Sequence, residues 1–355
     1  AGSVVRELRA ALPGEPTDAA VATRATADVR RATRGRTTDA EAHERYLLGR
    51  FLVDRLTPDD TVTAIGYLRQ ALQIDPRYAL AWAGLAGAYS NQAGYGWAET
   101  GPTFELAKSA ARHALDLEPD LPEGHAELGW VQISHDWDWR AAAASYARAL
   151  ELGGGDRSIV SAASVLADSL GRHEQAVALA RRAAVLDPLS YIAHGNLALR
   201  CLNSGLLDEA AAALHSAFRL HPRAALLHAV LGTLRLEQGD PGAARAAFES
   251  EAIAPLRLAG IAMARHAAGE REAGEVALRQ LIARCADNGA LQIAETFACF
   301  GDADRAFEWL DRAYEQRDSG LPQLRSWPLL RNLHDDPRWR AFLRKMGFDA
   351  PDPPR

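Results

Sequence analysis

The run Asp136, Trp137, Asp138 and Trp139 holds the side chains best suited to a local binding site. Two carboxylates between two indole rings can receive an arginine or lysine side chain, because the carboxylates attract the charge and the ring faces bind cations. The run is therefore a candidate loop site for a basic group of a partner. In the alternative interpretation, which we favour, the rings pack the turn against a neighbouring part of the fold, because exposed paired tryptophans are costly without a partner.

Motifs of common enzymes are missing from the sequence, which contains no HExxH, GxSxG, P-loop or GxGxxG. The pairs His43–Glu44 and His173–Glu174 lack the second histidine that a zinc-binding helix of a metalloprotease needs. The three cysteines form neither a CxxC pair nor a disulfide framework, and the histidines have no metal-ligand spacing. We therefore expect no enzyme activity, no cofactor and no metal.

The composition narrows the class of partner. A net charge of −6 argues against a general nucleic-acid binder, which normally carries a clustered positive field. No apolar stretch reaches the length of a transmembrane helix, so direct membrane insertion is not expected. Free cysteines slightly favour the cytoplasm, although a periplasmic setting stays open.

The elements that carry these residues follow a repeat of 34 residues. In four copies, small or apolar residues and a closing proline recur at the same offsets, whereas the third repeat lacks the proline and the last copies are degenerate. Small residues let two helices approach closely, and the proline ends the second helix of each pair. We count eight units, which begin near residues 42, 79, 122, 157, 191, 225, 255 and 287. The best-defined copies are Ala176, Ala180, Ala183 and Pro188, followed by Ala210, Leu214, Ala217 and Pro222.

A helix–turn–helix unit with this period and these offsets resembles the tetratricopeptide repeat (TPR). The resemblance implies an all-α fold, a right-handed TPR superhelix (solenoid) of about eight repeats, and no β-sheet. The Asp136–Trp139 turn and the ending Ala306–Asp318 further resemble the C-terminal TPR region of bacterial signalling proteins. In that family the region follows a TolB-like segment fused to an adenylate cyclase, a serine/threonine kinase or a winged-helix regulator. This implies that Val4–Leu12 is the last helix of a preceding module.

The array is expected to end in a capping helix from Pro337 to Met346. Trp339, Phe342 and Leu343 lie at helical spacing and should cover the apolar end of the eighth repeat. The predicted parts of the chain are residues 1–38 (N-terminal helix and linker from a preceding module), 39–320 (TPR array) and 321–355 (C-terminal cap and tail).

In the TPR family, ligands lie along the concave face, at positions 2, 5, 9 and 12 of the leading helices. Here these positions are mostly apolar, and the basic and asparagine residues with which chaperone-binding TPRs clamp a terminal carboxylate are largely missing. The resemblance therefore implies an apolar or amphipathic ligand, such as an amphipathic helix. Trp130, a large ring beside Gly87 and Val165, is expected to anchor it. The candidate groove residues are Leu80, Ala83, Gly87, Ala126, Trp130, Ile133, Val165, Ile192, Leu199, Leu202, Leu226, Leu236 and Met263.

We interpret the chain as a non-catalytic scaffold that binds a protein or peptide, and as the regulatory or sensing arm of a bacterial signalling protein. The partner is a separate protein or the chain's own upstream effector domain, and not a nucleic acid. Two alternatives stay open, a sensor of a small or lipid-like molecule and a self-associating spacer that forms a homo-oligomer. Ligand found in the purified protein by mass spectrometry would favour the sensor, and a concentration-dependent mass would favour the spacer.

Overall fold

The computed structural model describes Gly35 and residues 37–348, so the predicted helix Val4–Leu12 lies outside the described residues. The described part contains 17 α-helices and no β-strand. None of these helices is long and apolar enough to cross a membrane. The helices are α1 Ala40–Val53, α2 Pro58–Ile74, α3 Ala79–Gly94, α4 Thr100–Leu117, α5 Pro122–Val131, α6 Trp139–Gly153, α7 Arg157–Ser169, α8 His173–Leu186, α9 Tyr191–Asn203, α10 Leu207–Leu220, α11 Leu227–Glu237, α12 Pro241–Glu249, α13 Ala254–Ala267, α14 Arg271–Cys285, α15 Ala290–Cys299, α16 Ala303–Glu315 and α17 Pro337–Lys345.

The first 16 helices form eight antiparallel pairs, in which each odd-numbered helix leads and each even-numbered helix follows. The leading helices begin within a few residues of the eight predicted repeat starts, as at Ala79, Pro122 and Arg157. Each pair packs mainly on its neighbours along the chain. The prediction of an all-α TPR solenoid with eight repeats is therefore confirmed.

The turns within successive pairs are built by glycines that repeat with the same period. Gly171, Gly205 and Gly239 each follow a leading helix and have φ values of +74°, +73° and +74°. At Gly205, the preceding helix closes with a bond from the Leu206 amide to the Cys201 carbonyl of 2.8 Å. A left-handed residue after the helix is what lets this bond form, and glycine adopts that conformation without steric cost.

Close approach of the two helices in a pair depends on glycine in the leading helix. A Cβ atom on Gly129 would lie 2.9 Å from the ring of Tyr146, and one on Gly232 would lie 2.6 Å from the ring of Phe248. Both rings are almost fully buried and belong to the following helix of the same pair. The small residues that the repeat pattern places at these points are therefore required by the packing.

The chain after α16 does not add another repeat. It forms two short 3₁₀ helices, Leu321–Gln323 and Pro328–Leu333, and then α17. In α17, Trp339 and Phe342 are buried, and the Phe342 ring contacts Tyr314 of α16 edge-on with centroids 6.3 Å apart. The predicted capping helix is therefore present on the eighth repeat.

The same C-terminal part also contacts the third repeat, which the sequence did not predict. The indole N–H of Trp139 in α6 donates to the carbonyl oxygen of Met346 at 2.7 Å. The Trp139 ring stacks on Phe348 with centroids 4.2 Å apart. The cap therefore joins repeats that are far apart in the sequence.

We predict that Gly232→Ala lowers the free energy of unfolding by about 2–3 kcal/mol, because the new methyl group overlaps the buried Phe248 ring. The matched control is Gly66→Ala in the middle of α2, where no atom lies within 4 Å of the new Cβ. That change should raise stability by about 0.5–1 kcal/mol, because alanine is the better helix former. Urea unfolding measures both variants. Equal effects of the two substitutions would show that the close approach at Gly232 is not limiting.

Candidate interaction site on the concave face

The predicted groove residues lie on leading helices or at their ends, but they differ in exposure. One set is buried within this chain and has little or no surface for a ligand, for example Ile133, which is 1 % exposed. A second set is only partly buried, and Leu226, at the start of α11, is 37 % exposed. The buried set is Leu80, Ala83, Ala126, Ile133, Val165, Leu202 and Met263. The partly buried set is Gly87, Trp130, Ile192, Leu199 and Leu236.

The C-terminal ends of six leading helices meet one short stretch of the chain, residues 317–333, which we call the strap. The last turn of a helix leaves carbonyl oxygens without an intrahelical partner, and these oxygens carry partial negative charge. Side chains of the strap donate hydrogen bonds to several of them. The donors and acceptors are Arg317 to His135 at 3.1 Å, Ser319 to Gly94 at 2.6 Å, Ser326 to Asp168 at 2.8 Å, and Asn332 to Ala298.

A buried ion pair lies beneath the strap, between α7 and α9. Arg200 and Asp168 are both fully buried, with Nη1 and Oδ2 3.3 Å apart. Asn203 donates to the same Asp168 oxygen at 2.7 Å, and Gln323 of the strap accepts a hydrogen bond from Arg200. Burial lowers the pKa of Arg200, and Asp168 opposes that shift. A buried charge is costly unless it is paired and hydrogen-bonded, so the side-chain oxygen of Gln323 helps to stabilise the guanidinium of Arg200.

Apolar side chains of the strap are as buried as the core of the solenoid. Leu321, Leu324 and Leu330 are at most 1 % exposed and belong to the largest apolar cluster of the described residues. Trp327 packs against both this cluster and the cluster formed around α9 to α11. The strap therefore packs as part of the apolar core of the solenoid.

Basic side chains of this same chain contact the rings and carboxylates of the Asp136–Trp139 turn. The guanidinium of Arg317 lies 4.2 Å from the centroid of the Trp137 ring, and the ammonium of Lys108 lies 2.6 Å from an Asp136 oxygen. Trp137 and Trp139 are 7 % and 5 % exposed. Asp138 caps α6 by accepting the amide N–H of Ala141. The geometry supports the packing interpretation over a loop site for a partner.

One group of side chains has the composition of a metal site. Ligand atoms of Glu105, His135 and Asp136 lie within 4.8 Å of one another. The ammonium of Lys108 already contacts Asp136 at 2.6 Å and so supplies a positive charge at this position. We therefore assign the group to packing of the turn rather than to metal binding.

The carboxyl group of Glu127 lies beside Gly87, and sequence analysis missed it. A Cβ on Gly87 would lie 3.0 Å from a carboxylate oxygen of Glu127, so glycine makes room for that carboxylate. Burial raises the pKa of Glu127 to about 7, and the charge of Arg50 on α1 opposes this shift. Arg50 in turn donates to the hydroxyl of Tyr46 at 3.2 Å. Glu127 lies outside the four repeat positions that define the TPR groove, so the repeat pattern gave no signal for it.

No protein-family model and no curated protein matches this chain. Among solved structures, it is similar to a chain of the APC/C hetero-tetramer Cut9–Hcn1, with 14 % identity and a TM-score of 0.55, over 75 % of this chain and 52 % of that chain. It is also similar to human IFIT1 in a dimer with m7Gppp-AAAA, with 15 % identity and a TM-score of 0.50, over 72 % of this chain and 68 % of that chain. This chain thus spans about half of the Cut9–Hcn1 chain that it matches. At such identities the likeness concerns the fold alone, and it supports the TPR solenoid.

We predict that Glu127→Gln stabilises the protein at about pH 8 but not at about pH 5. The pKa of Glu127 is raised from 4.5 to about 7 in the folded protein. The folded state therefore favours the protonated acid, and the stability from this group is present below pH 4.5 and lost as the pH rises through about 7. One pKa unit corresponds to about 1.4 kcal/mol, so the variant should gain about 1–3 kcal/mol at the higher pH.

Urea unfolding of both proteins at the two pH values measures this difference. Glu44→Gln on the exposed face of α1 is the control and should show no such pH dependence. A gain from Glu127→Gln that is the same at both pH values would contradict the burial of this carboxyl group.

Proposed function

We propose that this chain is a non-catalytic scaffold that binds a protein or peptide segment on its concave face. The observation that carries the proposal is the set of apolar side chains that the leading helices leave partly exposed there. These side chains include Trp130 on α5, Ile192 and Leu199 on α9, and Leu236 on α11. A partner that covers them removes apolar surface from water, so an apolar or amphipathic segment is the favoured ligand.

We further propose that the array is the regulatory or sensing arm of a bacterial signalling protein and contacts the module that precedes it. Support comes from α1, which leaves Leu47, Leu48 and Phe51 exposed, Phe51 to 65 %. The first helix of a solenoid presents such an apolar face unless another element covers it. A preceding module is suited to this position because it is linked to α1.

We do not propose a nucleic-acid ligand, although this chain is similar in fold to human IFIT1, which was solved as a dimer with m7Gppp-AAAA. The net charge of this chain is −6, whereas neutralisation of phosphates needs clustered basic residues.

Selection of short random peptides displayed on phage, with the full chain as the target, tests the proposed function. The expected result is a set of peptides whose apolar residues recur at helical spacing and which compete with one another for one surface. Failure to enrich any peptide, together with a small molecule found in the purified protein by mass spectrometry, would favour the sensor of a small molecule instead.

We predict that Trp130→Ala weakens binding of a selected peptide about 30-fold, which corresponds to about 2 kcal/mol and to the range of interface anchors. The matched control is Trp82→Ala, because Trp82 packs against His113 of the same helix pair and donates to the carbonyl of Pro76 in the connection before α3. This control should lower the melting temperature and leave the affinity unchanged. Full affinity of Trp130→Ala with a comparable loss of stability would contradict the groove assignment.

A further inference from the structure

The strap contacts the C-terminal ends of several leading helices, and we call the surface formed by these ends the rim. The rim presents a specific set of hydrogen-bonding groups. It presents carbonyl oxygens of Gly94, His135, Asp168 and Ala298, each at the C-terminal end of a different leading helix, and the guanidinium of Arg200. The oxygens accept hydrogen bonds and favour cations, because each lies at the negative end of a helix dipole. Arg200 instead requires an acceptor. The rim therefore selects a segment with several donor side chains and at least one amide or carboxyl oxygen.

The strap matches this surface with a simple pattern. Its polar side chains provide the donors and the acceptor, and Leu321, Leu324 and Leu330 enter the apolar core between them. The two 3₁₀ helices hold this pattern in a short, irregular backbone. The matching polar residues are Arg317, Ser319, Gln323, Ser326 and Asn332.

The strap belongs to none of the eight helix pairs. Each repeat packs against its sequence neighbours, and such interfaces carry most of the stability of a solenoid. The strap begins at Arg317, directly after the end of α16. Arg317 is a non-glycine residue with a φ of +55°, and the chain changes direction there. The contacts between the two helices of each pair therefore do not involve the strap.

We propose that this rim is a peptide-binding surface for which the strap is the internal ligand. A partner segment of the same chemistry, with leucines between serine, asparagine, glutamine or arginine residues, then binds by competing with the strap. This inference rests on the proposed function, since it names a second surface of the same scaffold and one kind of partner for it. Because the two compete, the affinity for such a partner decreases as the strap binds the rim more strongly.

A synthetic, fluorescein-labelled peptide with the sequence of residues 317–333 tests the proposal, by fluorescence anisotropy with the full chain. The variant Gln323→Ala/Ser326→Ala weakens the internal strap by removing its contacts with Arg200 and Asp168. We expect the peptide to bind this variant about tenfold more tightly than the wild type, because two hydrogen bonds no longer favour the internal competitor. The matched control Gln175→Ala/Ser250→Ala changes the same residue types at exposed positions.

The control variant should bind the peptide as weakly as the wild type does. A peptide with Leu324→Asp should bind the strap variant at least tenfold more weakly than the unaltered peptide, because Leu324 is buried. Equal affinity of the wild type and the strap variant, or no binding to a folded strap variant, would overturn the proposal. If Gln323→Ala/Ser326→Ala does not fold, Ser319→Ala/Asn332→Ala gives the same comparison at the two ends of the strap.

The outcome is separable from that of the proposed function. Displayed peptides that depend on Trp130 support the scaffold whether or not the strap peptide binds. Binding of the strap peptide that Trp130→Ala leaves unchanged locates it on the rim. If displayed peptides bind and the strap peptide does not, only the rim proposal fails.

Discussion

Carbonyl oxygens at the C-terminal ends of the leading helices set the main constraint on this structure. The curvature of the solenoid brings the ends of six such helices within reach of one short stretch of chain, and several of the atoms there are buried. Buried carbonyl groups need hydrogen-bond donors, and buried charges need partners. Ser319, Ser326 and Asn332 of the strap donate to three of these oxygens. The backbone N–H groups of Gly171 and Gly301 also donate to the Asp168 and Ala298 oxygens, so the strap completes their hydrogen bonding. Gln323 accepts from the buried guanidinium of Arg200.

The strap covers only part of the surface formed by the leading helices. At the C-terminal ends of α7 and α9 it contacts Asp168 and Arg200, whereas Ile192 and Leu199 of α9 are partly exposed. Towards the first three repeats, Trp130 is partly exposed, and the carboxyl group of Glu127 lies beside Gly87. Under the two proposals above, a partner segment would contact the Trp130 ring or compete with the strap for the rim.

The fold was predictable because its signals are local. A small residue such as Gly232 and a left-handed glycine such as Gly205 recur with the repeat, and each is required within its own helix pair. The strap has no such period, and its contacts join residues 123 apart for Arg200–Gln323 and 225 apart for Gly94–Ser319. The repeat pattern therefore located the groove residues on the leading helices but could not give their burial. For the same reason it left the Asp136–Trp139 turn with two interpretations, since Arg317 comes from the strap, far along the chain.

Hydrogen exchange of the intact protein, followed by mass spectrometry, tests the central claim most directly. If the strap fills the rim, the backbone amides of Leu324, Ser326 and Leu330 exchange at rates close to those of α7, because these residues are buried and their amides are hydrogen-bonded within the strap. The exposed residues Arg223 and Ala225, in the turn between α10 and α11, serve as the internal reference for an uncovered connection. Exchange of the strap amides as fast as that of this turn would contradict the account.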